Sequence, residues 1–108
     1  MSELAVIIPA YNSAKSVTPT LRRLAAEVPR LPAAAVLLVD DGSSDGTAAA
    51  ALAAAGELGL NLRVLSHPSN RGYGAAQKTG LKAALEAGCR AAVLLHSDGQ
   101  YAPEELAA

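Results

Sequence analysis

Residues 35–57 read AVLLVDDGSSDGTAAAALAAAGE, and this stretch decides the fold. Ala35 to Val39 is a short, unbroken apolar run, the pattern of a strand buried on both faces. Asp40 and Asp41 open a turn rich in Gly and Ser, and Thr47 to Glu57 is mostly Ala, the strongest helix former. Gly59 suits the C-terminal cap of that helix, and Ser44 or Asp45 its N-terminal cap. A buried strand running through a tight turn into a helix is the repeating unit of a parallel α/β sheet.

The same unit recurs on either side. Leu4 to Ile8, Leu62 to Leu65 and Ala91 to Leu95 are further strand candidates, and the first and last of these are again nearly continuous apolar runs. Val17, Leu21, Leu24 and Val28 form one stripe of an amphipathic helix, ended by Pro29 and Pro32. A third helix is expected from about Ala75 to Ala87, with Leu81 and Leu85 four apart and Gly88 as its stop. A fourth opens at Pro103, with Glu104 and Glu105 in its first turn. Strands alternating with helices imply right-handed parallel crossovers. The expected fold is a doubly wound α/β sheet in order 3-2-1-4, with helices on both faces. The fourth helix stops at Ala108, so the chain reads as a fragment.

Composition narrows the function classes. At 108 residues the chain has room for one domain, and 51% hydrophobic against 18% charged residues is globular. Nine basic against ten acidic residues give a net charge of −1 with no basic run, so nucleic acid is not expected as a partner. The lone Cys89 builds neither a disulfide framework nor a cysteine zinc site, and reads as a small buried residue in a reducing, cytoplasmic setting. No apolar stretch approaches the roughly 20 residues of a spanning helix, and the N-terminus does not read as a secretory signal.

In an open parallel sheet, ligands bind beyond the carboxyl ends of the strands, where the strand order reverses. Here that point lies between the first and fourth strands. The loops at that rim carry nearly every polar residue of chemical interest: 9–13, 40–47, 67–74 and 96–100. The loop after the first strand contains no Gly, which excludes a dinucleotide fingerprint. GYGAAQKT, residues 72–79, departs from a P-loop at Gln77 and falls after the wrong strand. No G-x-S-x-G elbow is present.

What remains suits a nucleoside diphosphate. Asp41 at a strand end can accept from a base N–H or from ribose hydroxyls, and Asp40 can do the same or orient the turn. Asp98 and Gln100 alternate along an extended loop. With His96 they offer one nitrogen and two oxygen donors, a set suited to Mn²⁺ or Mg²⁺ bridging two phosphates. Gly72 and Gly74 admit close backbone approach, and Arg71 is the nearest cation. His67, ahead of Pro68, reads as a loop residue, and Asp45 as a helix cap.

Taken together, 6–12 (VIIPAYN), 39–47 (VDDGSSDGT), 70–74 (NRGYG) and Asp98-Gly99-Gln100 followed by Pro103-Glu104 resemble the family 2 glycosyltransferases, in the dolichol- or polyprenyl-phosphate mannosyltransferase-like branch. The resemblance spans essentially the whole chain. It implies the nucleotide-sugar-binding half of a GT-A fold and inverting transfer from a UDP- or GDP-sugar to a hydroxyl or phosphate. It implies that Pro9, Ala10, Tyr11 and Asn12 line the nucleotide and that Asp41, with Asp40 beside it, holds base or ribose. Arg71 and Gly72 would lie beside the nucleotide, and Asp98 and Gln100 would take the metal. The family's D-x-D motif has His96 in place of its first Asp. The family's domain runs about twice as far, so the acceptor half and its base are expected beyond these residues. The isolated chain is then expected to bind donor without transferring sugar, and to dimerise through an exposed fourth strand. A nucleotide-binding module without turnover is the alternative reading.

Overall fold

The computed structural model describes residues 4–27 and 34–95. Four strands, β1 (Leu4–Ala10), β2 (Ala34–Asp40), β3 (Leu62–Ser66) and β4 (Ala91–Leu94), alternate with three helices, α1 (Ala14–Glu27), α2 (Thr47–Leu58) and α3 (Tyr73–Glu86). All pairings are parallel and the order is β3-β2-β1-β4, as the sequence predicts. Pro103 and the expected fourth helix lie outside the described residues.

Strand alternation divides the core into two halves. Val6, Ile8, Val36 and Leu38 point to the face covered by α1 and α2, where Val17, Leu21 and Leu24 are fully buried as the stripe requires. Ala5, Ile7, Leu37 and Val39 point to the opposite face, covered by α3. Gly59 (φ 70°) and Gly88 (φ 80°) stop their helices as expected. Leu60 N–H donates to the Ala55 carbonyl and Cys89 N–H to the Ala84 carbonyl, each at 3.0 Å, the six-to-one bond of a Schellman ending.

Two expectations are corrected. Leu81 and Leu85 do not face the core; they are 41% and 74% exposed, and Ala76, Gly80 and Ala84 are buried instead. The sheet presents Ile7 and Val39 to this helix, so only small residues fit between. A Cβ on Gly80 would collide with Ile7 Cγ2 and come within 3.4 Å of Val39 Cγ2. The run at 91–95 is also not a strand buried on both faces. Ala91, Ala92 and Leu94 are exposed, because β4 is the sheet's edge among the described residues.

The register sets up the rim. Ala10, Asp40 and Ser66 share one row across the carboxyl edge. Asp41 N–H donates to the Ala10 carbonyl and His67 N–H to the Asp40 carbonyl, both at 2.8 Å. These bonds carry the ladder one residue further and place Asp41 and His67 in the next row, turned toward the α3 side.

Candidate functional site

The loop after β1 and the loop after β2 are laced together by side chains. Asn12 sits in the left-handed region (φ 49°), its N–H donating to Ser43 Oγ at 2.8 Å and its Oδ1 accepting from Ser44 N–H at 3.0 Å. Ser13 N–H reaches Thr47 Oγ1 at 2.9 Å, and Ala14 N–H reaches Asp45 Oδ2 at 3.0 Å. Asp45 caps more than the sequence predicts. It stands one residue before Gly46, the N-cap of α2, and accepts from Thr47 N–H at 3.1 Å and from the Thr47 hydroxyl. Its other oxygen serves the first amide of α1. The Thr47 hydroxyl, followed by the Ala14 amide, holds the Asp45 carboxyl below its ordinary value.

Strand alternation separates the two aspartates. Asp40 turns toward the α1 and α2 side, where its Oδ1 accepts from Ser43 N–H at 3.1 Å and fixes the turn. Asp41 turns toward α3 and is only 3% exposed. Its Oδ1 accepts from His67 Nδ1 at 2.7 Å and from Arg71 N–H at 2.9 Å, and its Oδ2 from Gly72 N–H at 2.9 Å. Burial alone would raise the Asp41 pKa. The hydrogen bonds from His67, Arg71 and Gly72 outweigh it and hold the carboxyl below its usual 3.8. Asn70 Nδ2 adds a bond to the Asp41 carbonyl at 3.3 Å. The β2–α2 and β3–α3 loops touch at Gly42 (φ 77°), where a Cβ would lie 2.5 Å from Asn70 N.

These loops enclose a cleft of about 370 Å³ at the carboxyl ends of β1 and β2, roofed by the start of α3. Pro9, Ala10 and Ala76 give it apolar walls; Tyr11 and Tyr73, 52% and 45% exposed, stand at its mouth. Asp41, Asn70 and Gly72 supply its polar lining. Apolar walls around a carboxylate and an amide suit a small, partly polar ligand that can donate to the carboxylate.

Of the residues expected at the site, Pro9, Ala10, Tyr11, Asp41 and Gly72 line the cleft. Asn12 and Asp40 brace its loops from behind, and Arg71 contributes its backbone amide while its side chain is exposed. His96, Asp98 and Gln100 lie outside the described residues, among which no group of three or more His, Cys, Asp or Glu is placed to hold a metal. His67 corrects the sequence reading most. It is 9% exposed and bonds Asp41 with one ring nitrogen and Thr79 Oγ1 on α3 with the other, at 2.8 Å. Asn70, Tyr73 and Ala76 join it as residues that sequence reasoning did not assign. The only signal for His67 was its place immediately beyond a strand, on the same rim as Asp41.

Residues 5–108 match the family model described as Glycosyl transferase family 2. Polyprenol monophosphomannose synthase of Mycolicibacterium smegmatis is 37% identical over 105 residues, covering 94% of this chain and 37% of that protein. Undecaprenyl-phosphate mannosyltransferase of Micrococcus luteus is 39% identical over 100 residues, covering 93% of this chain and 40% of that protein. Among solved structures, S. aureus TarS 1-349 in complex with UDP-GlcNAc superposes with a TM-score of 0.74 at 31% identity, over 89% of this chain and 26% of that one. The chain thus spans about two fifths of the length of these curated relatives or less. No helix among the described residues is long and apolar enough to cross a membrane.

Proposed function

Because the chain belongs to glycosyl transferase family 2, we propose that its cleft seats the nucleotide of a UDP- or GDP-sugar, as the donor-binding part of an enzyme that transfers the sugar with inversion. The observation that carries this reading is Asp41. A carboxylate accepts about four hydrogen bonds, and the protein fills three of them. The remaining position, on Oδ2, belongs to a carboxylate in the cleft wall, available to a base N–H or a ribose hydroxyl. Tyr11 and Tyr73 also line the cleft, and their aromatic rings are available to stack on a base. That TarS is described with UDP-GlcNAc, and that both curated relatives are named for polyprenyl-phosphate acceptors, supports a nucleotide-sugar donor and a lipid-linked acceptor here. A saccharide is the other acceptor class. A lipid-linked acceptor would place the reaction at the cytoplasmic surface of a membrane.

Asp98, Gln100 and His96 would hold Mn²⁺ or Mg²⁺ on the diphosphate; their one nitrogen and two oxygens fit such an ion. When bound, the ion neutralises charge on the departing nucleoside diphosphate. The protein's own groups seat the base, orient the diphosphate and keep the anomeric carbon facing the acceptor. The acceptor oxygen attacks that carbon from the side opposite the leaving phosphate; a phosphate oxygen is already ionised and attacks directly, whereas a saccharide hydroxyl would first lose its proton to a base on the acceptor side. These 108 residues carry the donor side, and the chain alone is expected to bind nucleotide without transferring sugar.

Calorimetric titration of UDP and GDP, each with and without Mn²⁺, tests the reading on wild type, Asp98→Ala and Asp41→Asn. Expected is binding of one nucleotide that Mn²⁺ strengthens, with the Mn²⁺ effect lost in Asp98→Ala and the affinity lost in Asp41→Asn. Absence of binding to both nucleotides, with and without Mn²⁺, overturns it.

A further inference from the structure

We propose that His67 is a positioning residue of the cleft: its ring fixes the Asp41 carboxylate, and through it the Arg71–Gly72 backbone, in the orientation that turns the last acceptor position of Asp41 toward a bound nucleotide. The inference rests on the donor reading for its ligand and on geometry for the rest.

His67 is tied at three points. Its backbone N–H donates to the Asp40 carbonyl at 2.8 Å, which locks its Cα to the end of β2. Nδ1 stands 2.7 Å from Asp41 Oδ1, and Nε2 stands 2.8 Å from Thr79 Oγ1, in the second turn of α3. A carboxylate only accepts, so Nδ1 carries the proton; in the neutral ring Nε2 then accepts from the Thr79 hydroxyl. A planar ring held by both nitrogens cannot rotate without breaking one bond, and its bond to Asp41 is buried, so breaking that one leaves a buried carboxylate oxygen short of a donor.

The consequence falls on Asp41. Its two other donors, the Arg71 and Gly72 amides, belong to the loop that lines the cleft. Those amides alone leave the carboxylate able to follow the loop. The bond to His67 instead references it to β2 and α3, so the loop is held by the carboxylate rather than the reverse. Gly72 is also the N-cap of α3, so the same anchor sets where that helix starts beneath Tyr73.

Two variants separate this role from simple packing. The amide nitrogen of His67→Asn overlays Nδ1 and keeps a donor toward Asp41 while losing Thr79. His67→Gln reaches toward Thr79 and leaves Oδ1 with the Arg71 amide as its one remaining donor. Both lose one ring partner, and both are expected to lower the melting temperature by similar amounts. Nucleotide affinity is expected to split them. His67→Gln weakens the UDP or GDP complex about tenfold, the factor of one charge-assisted hydrogen bond. His67→Asn recovers most of that loss. In proton–nitrogen spectra without nucleotide, the Arg71 and Gly72 amide resonances shift in His67→Gln and stay near their wild-type positions in His67→Asn. Equal affinity loss in both variants, or loss that merely tracks melting temperature, overturns the proposal. If wild type binds neither nucleotide, the donor reading fails by itself. The amide resonances then still decide the role of His67: unmoved in His67→Gln, they overturn it.

Discussion

Asp40 and Asp41 are neighbours in sequence and opposites in role, because successive residues of a strand face opposite sides of the sheet. Asp40→Asn keeps an oxygen for the Ser43 amide, and urea unfolding should register a loss of about 0.5 kcal/mol or less. Asp41→Asn sets an amide among three donors, and the same measurement should give about 1.5–3 kcal/mol. The Asp41 and Asp45 carboxyls both titrate lower in the folded chain than in the unfolded one. Their stabilisation is therefore complete above the ordinary carboxylate range and is lost as pH falls through it toward the lower folded values. Unfolding free energy should hold steady from about pH 7 to 5 and drop below about pH 4, and Asp41→Asn should flatten that drop. None of this division was legible in the sequence, which left both aspartates open to either role. The deciding quantity was the register that puts Asp41 beside His67, a residue 26 positions away, and it is set by the backbone bonds that follow β2 and β3.

At the scale of elements, α3 shows where pattern reading fails. Leu81 and Leu85 look like the buried stripe of an amphipathic helix, yet a helix laid on a sheet meets whatever side chains the sheet presents. Ile7 and Val39 fill the space that a Leu would need. Gly80→Ala gains roughly 1 kcal/mol in helix propensity but overpacks against Ile7 at a cost of about 1–3 kcal/mol, and should come out less stable by up to about 2 kcal/mol in urea unfolding. Paired with Ile7→Ala, it should cost less than the sum of the two single changes, since the second removes the colliding methyl. Leu85→Ala, at 74% exposure, should change stability by no more than about 0.5 kcal/mol. The helix ends were legible: Gly59 and Gly88 stand where a left-handed residue is required, and a glycine after a run of helix formers is a local signal. Which face of α3 is buried depends on partners far along the chain.

On the scale of the whole molecule, strand order and helix placement followed from the apolar runs, because a strand covered on both faces needs no polar alternation. The rim followed too, since its polar residues have no other place on a doubly wound sheet. The cross-loop bonds that shape the cleft did not, joining residues about 30 apart by hydroxyl, amide and carboxylate side chains that carry no pattern. The outer edge of β4 has no strand partner among the described residues, and beside it Leu81, Ala84, Leu85 and Cys89 border a shallow hollow of about 200 Å³. The chain alone is expected to pair through that edge, its light-scattering mass rising from monomer toward dimer with concentration. A mass that stays monomeric throughout would count against this. The two tyrosines at the mouth of the cleft have an optical consequence. The chain contains no tryptophan, so its near-ultraviolet emission comes from three phenols, Tyr11, Tyr73 and Tyr101. Two of these border the space where a nucleobase would lie. A base stacked there would quench them on contact, giving the protein a built-in fluorescent gauge of its own occupancy, with no dye or label attached.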